Sequence, residues 1–148
     1  MKKLVMISLC LFMLTTISIG CSSKKSSSDG GSNTSEKQIP DLTGEWKQEN
    51  SKSDDSYQLA TITSDTITID WVSDNGDTKA LYWAGSFVAP KTADEPYSWD
   101  SKNDHSKTES ALLASGDDTK TITYENGVLS YEVSAMGTTT VVKLKKQQ

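Results

Sequence analysis

From Leu42 to the C-terminus the chain alternates apolar and polar residues with a period of two, and it is rich in Thr, Ile, Val, Tyr and Trp. Successive side chains of a strand point to opposite faces, so this period belongs to half-buried β-strands. No window of ten or more residues carries helical spacing. The turn residues then fix the pairing. A two-residue loop at Asn126-Gly127, a strong hairpin signal, pairs Tyr124 with Leu129 and Ile122 with Tyr131. All four share one face, while Thr121, Thr123, Ser130 and Glu132 share the other. A loop at Met136-Gly137 pairs Tyr131 with Val142 and Leu129 with Leu144, again on one face. A one-residue slip would scatter these partners, so the two registers support each other.

The same reasoning applies earlier in the chain. A turn at Ser64-Asp65 pairs Ile62 with Ile67 and Ala60 with Ile69, and a turn at Asn75-Gly76 pairs Trp71 with Ala80 and Ile69 with Tyr82. This predicts a second three-stranded meander over about 57–88. Each meander needs a cover, and the other meander is the simplest one. Between them, Pro90 and Pro96 bracket a loop, Tyr97-Ser98-Trp99 reads as a short strand, and Ser110-Ala111-Leu112-Leu113-Ala114 reads as another. With a first strand around Trp46, the expectation is an all-β domain: a single small antiparallel barrel or two-layer sandwich of eight or nine meander strands.

Large rings are the candidate binding groups. Trp71, Tyr82, Tyr124 and Tyr131 fall on the predicted inner faces, where packing accounts for them. Tyr57, Leu59, Leu81 and Trp83 fall on the opposite face of the 57–88 meander, and a stripe there needs another layer or a partner. Burial under 89–118 is one solution. A bulge at Gly85 that reverses the faces is another. The residues singled out for ligand or partner binding are Trp71, Tyr82, Trp83, Trp99 and Tyr131.

Charge narrows the partners. All 15 basic residues are lysine, against 20 acids. Without arginine there is no planar fork for bidentate phosphate or carboxylate capture. A net-negative surface also argues against nucleic acid and against anionic lipid held by charge. Catalytic parts are few. His105 is the single histidine and sits in the polar turn Asn103-Asp104-His105-Ser106, where neighbours do not assemble a triad. The acids occur in turns such as Asp54-Asp55, Asp94-Glu95 and Asp117-Asp118. Asp74-Asn75-Gly76-Asp77 lacks the alternating ligands and distal Glu of a calcium loop. With one histidine and no cysteine, the folded part lacks the ligand set of a zinc site. No enzyme activity and no cofactor are expected.

The N-terminus carries an address. Lys2 and Lys3 precede an apolar run from Leu4 to Ile19, about 16 residues and shorter than the ~20 that span a bilayer. Small residues end it, in the layout of a secretory signal. Ser18-Ile19-Gly20-Cys21 resembles the lipobox of bacterial lipoproteins. That resemblance implies removal of residues 1–20 and a diacylglyceryl thioether on Cys21. The acyl chains would hold the protein on the outer face of the cell membrane. Cleavage removes two lysines and no acid, turning the formal charge of −5 into −7. Cys10 leaves with the signal, so the domain rests on its hydrophobic core rather than on disulfides. Residues 21–40 are the lipidated cysteine and a tether of Ser, Lys, Gly, Asp and Asn, too polar to order itself. Its 19 residues after Cys21 would average about 24 Å end to end. Residues 41–148 are the β-domain.

Two further resemblances concern this domain. Gly44-Glu45-Trp46 on a first strand is similar to the first lipocalin motif, whose tryptophan closes one end of an eight-stranded barrel around a ligand. Leu81-Tyr82-Trp83-Ala84-Gly85 with Ala114-Ser115-Gly116-Asp117-Asp118 resembles small Gram-positive surface lipoproteins, some of them carried on prophages. The expected function is a membrane-anchored, non-catalytic binding or interaction domain at the cell surface, in which case an envelope protein or an incoming phage is the partner. The alternative is a carrier of a small hydrophobic ligand.

Overall fold

The computed structural model describes residues 37–148, apart from Met136. Cys21, the signal and most of the tether lie outside the described residues. Eight strands form: β1 (Gly44–Gln48), β2 (Tyr57–Ile62), β3 (Thr66–Ser73), β4 (Thr78–Ser86), β5 (Tyr97–Lys102), β6 (Thr119–Glu125), β7 (Val128–Ala135) and β8 (Thr138–Lys146). They make one antiparallel sheet in the order β4-β3-β2-β1-β8-β7-β6-β5. Each hydrogen-bonded pair is adjacent in sequence except β1 with β8, which joins the two meanders side by side. The sheet therefore rolls into an up-and-down barrel, not a sandwich, and the meanders face each other across its interior.

The β4–β5 seam nearly closes the ring. Gly85 bridges Asn103, Asp104 N donates to Ala84 O at 2.8 Å, and Lys102 N donates to Ser86 Oγ at 2.9 Å. Gly85 is required here by space. A Cβ on it would lie 2.4 Å from Ser101 Oγ and 2.7 Å from Lys102 O.

The hairpin chemistry sets the registers largely as expected. Tyr124 pairs with Leu129 across Asn126 (φ 52°) and Gly127 (φ 80°), Tyr131 with Val142, Leu129 with Leu144, Ile62 with Ile67, and Ala60 with Ile69. Trp71 pairs with Ala80, but Ile69 pairs with Trp83 and not with Tyr82. A bulge at Tyr82 inserts one residue into β4, so the side chains beyond it change face. The bulge is at Tyr82, three residues before Gly85. Trp83 therefore lies inside the barrel, fully buried, instead of on the outer stripe.

Two other expectations change. Ser110–Ala114 is not a strand; a helical turn, α1 (His105–Thr108), precedes it, and Ala111 N and Ala114 N bond back three residues in further turns. Local hydrogen bonding at Asp104 favours this, with its carbonyl accepting from Lys107 N at 2.9 Å. Trp71 shares the inward side with Gln58 but stands at the rim, 36% exposed, rather than packed in the core.

One continuous core fills the barrel, and its members include Trp46, Tyr82, Trp83, Phe87, Trp99 and Tyr131 with Ile62, Ile67, Ile69, Ile122, Leu129 and Leu144. Eight strands enclose just enough space for such a filling. Among the described residues no helix is long and apolar enough to cross a membrane.

Candidate functional site

The two ends of the barrel are built differently. At one end, Gly44 holds φ +112°, a left-handed conformation suited to glycine, and directs the chain so that Trp46 enters the core. Trp46 Nε1 donates to Leu42 O at 2.9 Å, and its ring meets Tyr124 edge-on at 6.2 Å. Trp99 sits there too, edge-on to Phe87 at 5.1 Å and stacked on Tyr97 at 5.8 Å. Residues 37–40, the last of the expected tether, run up to this end, where Lys37 Nζ lies 3.4 Å from Glu95. Glu95 also accepts from Asn126 N at 2.5 Å. That backbone donor, and then Lys37, hold its carboxyl below the usual range. This end is plugged.

The opposite end carries the 74–77 turn, the 103–118 connection and the β7–β8 hairpin. Trp71 meets Tyr82 edge-on at 5.5 Å, and Tyr82 stacks on Tyr131 at 6.5 Å. The connection lies over these rings because Ser115 N donates to Tyr82 O at 2.8 Å. Asn103 Nδ2 also holds Asp117 O at 2.7 Å. Leu112 and Leu113 project from it, 97% and 53% exposed. Together Trp71, Tyr82, Leu112, Leu113 and Val133 line an open depression of about 450 Å3. We call it the mouth.

Beneath the mouth the interior becomes polar. Gln58 is completely buried and pairs with Trp71 across β2 and β3. Its Oε1 accepts from the Tyr131 hydroxyl, while its Nε2 has no hydrogen-bond partner. Burial, and secondarily Tyr82, push the Tyr131 hydroxyl well above its ordinary pKa, so it stays protonated and able to donate. The Lys120 ammonium is likewise enclosed, 5.3 Å from the Tyr82 ring and 5.2 Å from the Trp83 ring. Asp117 Oδ2 lies 3.2 Å from it. Ser115, then Lys120, hold the Asp117 carboxyl below its usual range despite some desolvation.

Of the five rings singled out in sequence, Trp71, Tyr82 and Tyr131 therefore come together at the mouth. Trp83 lies deeper and donates to Ser101 Oγ at 2.9 Å. Trp99 belongs to the plugged end. Alternation alone missed Leu112, Leu113 and Val133, and it missed Gln58 and Lys120. Yet Gln58-Ala60-Ile62 and Lys120-Ile122-Tyr124 each place a polar residue in an inward phase, a readable anomaly.

His105 Nε2 lies 3.0 Å from Asp118 Oδ1 on the surface, with both side chains well solvated. Asp74, in the 74–77 turn, accepts from Thr78 Oγ at 2.8 Å. Among the described residues no three His, Cys, Asp or Glu side chains converge as metal ligands would. No protein-family model, curated protein or solved structure matches the chain.

Proposed function

We propose that this chain is a lipid-anchored, non-catalytic binding domain on the outer face of the cell membrane, and that it binds at the mouth of its barrel. The carrying observation is the convergence of Trp71, Leu112 and Leu113, all solvent-exposed, around one depression of a solid barrel. Exposed apolar side chains clustered in this way mark a contact surface. Anchoring rests on the lipobox at Cys21 and the polar tether behind it. Storage of a ligand deep inside the barrel is disfavoured, because core side chains occupy that volume. A partner protein of the envelope, or of a phage arriving there, is a second reading, supported by the nearly complete exposure of Leu112.

Two variants test the proposal. Cys21→Ser moves the protein out of the membrane fraction, and unchanged retention contradicts the anchor. Residues 37–148 contain the whole core and ring of strands, so binding can be measured on them alone. Leu113→Asp leaves their folding cooperative and abolishes capture from envelope extract, read by native mass spectrometry. Full capture by that variant contradicts the mouth.

A further inference from the structure

The unpartnered Gln58 amide suggests what kind of molecule the mouth takes. A buried N–H without an acceptor forfeits hydrogen bonding that it had in water, and such groups are rare in folded chains. Gln58 Nε2 is in this position although the amide is otherwise fixed, with Oε1 held by Tyr131. The orientation in which Oε1 accepts from the Tyr131 hydroxyl is what makes the unpartnered group a donor, since a rotated amide would present its oxygen there instead. The rings around this amide are those of the mouth: Trp71 is its cross-strand neighbour, and Tyr131 stacks on Tyr82, which in turn meets Trp71. Of these three rings, Trp71 alone reaches solvent substantially. It lines the depression and is the cross-strand neighbour of the amide, so it is the ring that links the two.

Building on the mouth reading, we infer that the site takes a small, neutral, mainly apolar molecule bearing one hydrogen-bond acceptor oxygen. The apolar body packs on Trp71, Leu113 and Val133, and the oxygen accepts from Gln58 Nε2 once the Trp71 ring turns aside. Neutrality follows from the charges. Asp117 flanks the depression, and the nearby Lys120 ammonium is already engaged by Asp117 and by the Glu132 carbonyl at 3.4 Å. An anionic ligand would thus meet a carboxylate and no free cation among the residues lining the depression, and a cationic one only a carboxylate already paired with Lys120.

The test uses residues 37–148 with two neutral fluorophores: Nile red, which has a carbonyl acceptor, and pyrene, which has none. Both bind the wild-type barrel, and both are lost in Leu113→Asp. The carbonyl infrared band of bound Nile red shifts to lower frequency relative to the dye in an apolar solvent. Gln58→Leu weakens Nile red about tenfold more than pyrene, as loss of one buried hydrogen bond implies. An unshifted band, or equal losses for the two dyes, overturns the acceptor inference and leaves the amide to a buried water only, with the mouth intact. Undiminished binding to Leu113→Asp overturns the mouth itself. Failure of the wild type to bind either dye overturns the small-molecule class in favour of a protein partner. If Gln58→Leu does not fold, the wild-type band decides alone.

Discussion

Trp83 and Ser101 meet where the barrel closes, and each is fully buried. The serine hydroxyl accepts the indole N–H at 2.9 Å, satisfying a donor that water cannot reach. Ser101→Ala removes the acceptor while keeping the shape, which should cost about 1–3 kcal/mol. Urea unfolding checks this as a lower midpoint with an unchanged slope. Asp70 is the opposite case. It is half-buried on the outer wall beside Leu59 and Leu81, and desolvation raises its pKa, with Lys79 offsetting part of the effect. A carboxyl with a raised folded-state pKa binds protons more readily folded than unfolded, so its unfavourable contribution grows as pH rises through that range. Asp70→Asn should therefore raise Tm at pH 7, with the gain shrinking toward zero as pH falls below the unfolded value near ~3.9. A lower Tm at pH 7 would contradict this account of Asp70.

At the level of strands and turns, β4 decides the most. Its bulge at Tyr82 turns both Tyr82 and Trp83 inward, and its Gly85 lets β5 approach. Gly85→Ala should destabilise the barrel by about 3 kcal/mol or more, since the new methyl meets Ser101 Oγ, Trp83 Nε1 and backbone together. Loss of amide exchange protection should begin at the β4–β5 seam, and protection equal to wild type would contradict a tight closure there. Glu95 ties the entering chain and the β6–β7 hairpin to the plugged end. Its depressed folded-state pKa means that its stabilising effect is present above the unfolded value near ~4.3 and is lost as pH falls through the folded value. Glu95→Gln should therefore show a shallower loss of stability below about pH 4.5 than wild type, measured by Tm against pH. The hairpins were legible because Asn-Gly and Ser-Asp turns combine with alternation to leave one good register each. The bulge was not legible, because Tyr82 and Trp83 are both large apolar residues and either could serve as the inward member of a pair. The 110–114 turns were misread as a strand for a related reason: Ala-Leu-Leu-Ala resembles a short core strand, whereas its neighbours Asp104 and Thr108 favour local backbone bonding.

For the molecule as a whole, order around the ring settles the choice between barrel and sandwich. Period-two pattern and turn chemistry showed two meanders with apolar faces, but not that β1 would hydrogen-bond to both β2 and β8. That pairing makes a filled barrel with a plugged end at Trp46 and an open aromatic end at Trp71. The candidate site was legible in part. Trp71, Tyr82 and Tyr131 were visible as large rings, but their meeting with Leu112 and Leu113 depends on how the 103–118 connection crosses the barrel end. The most direct test of binding at this end is site-specific photo-crosslinking in the full chain, expressed in cells. A benzophenone side chain at Leu113 is compared with one at Thr121 on the outer wall. Binding at the mouth predicts a discrete adduct from position 113 that position 121 does not give. Crosslinks of equal yield from both positions, or none from 113, would contradict it.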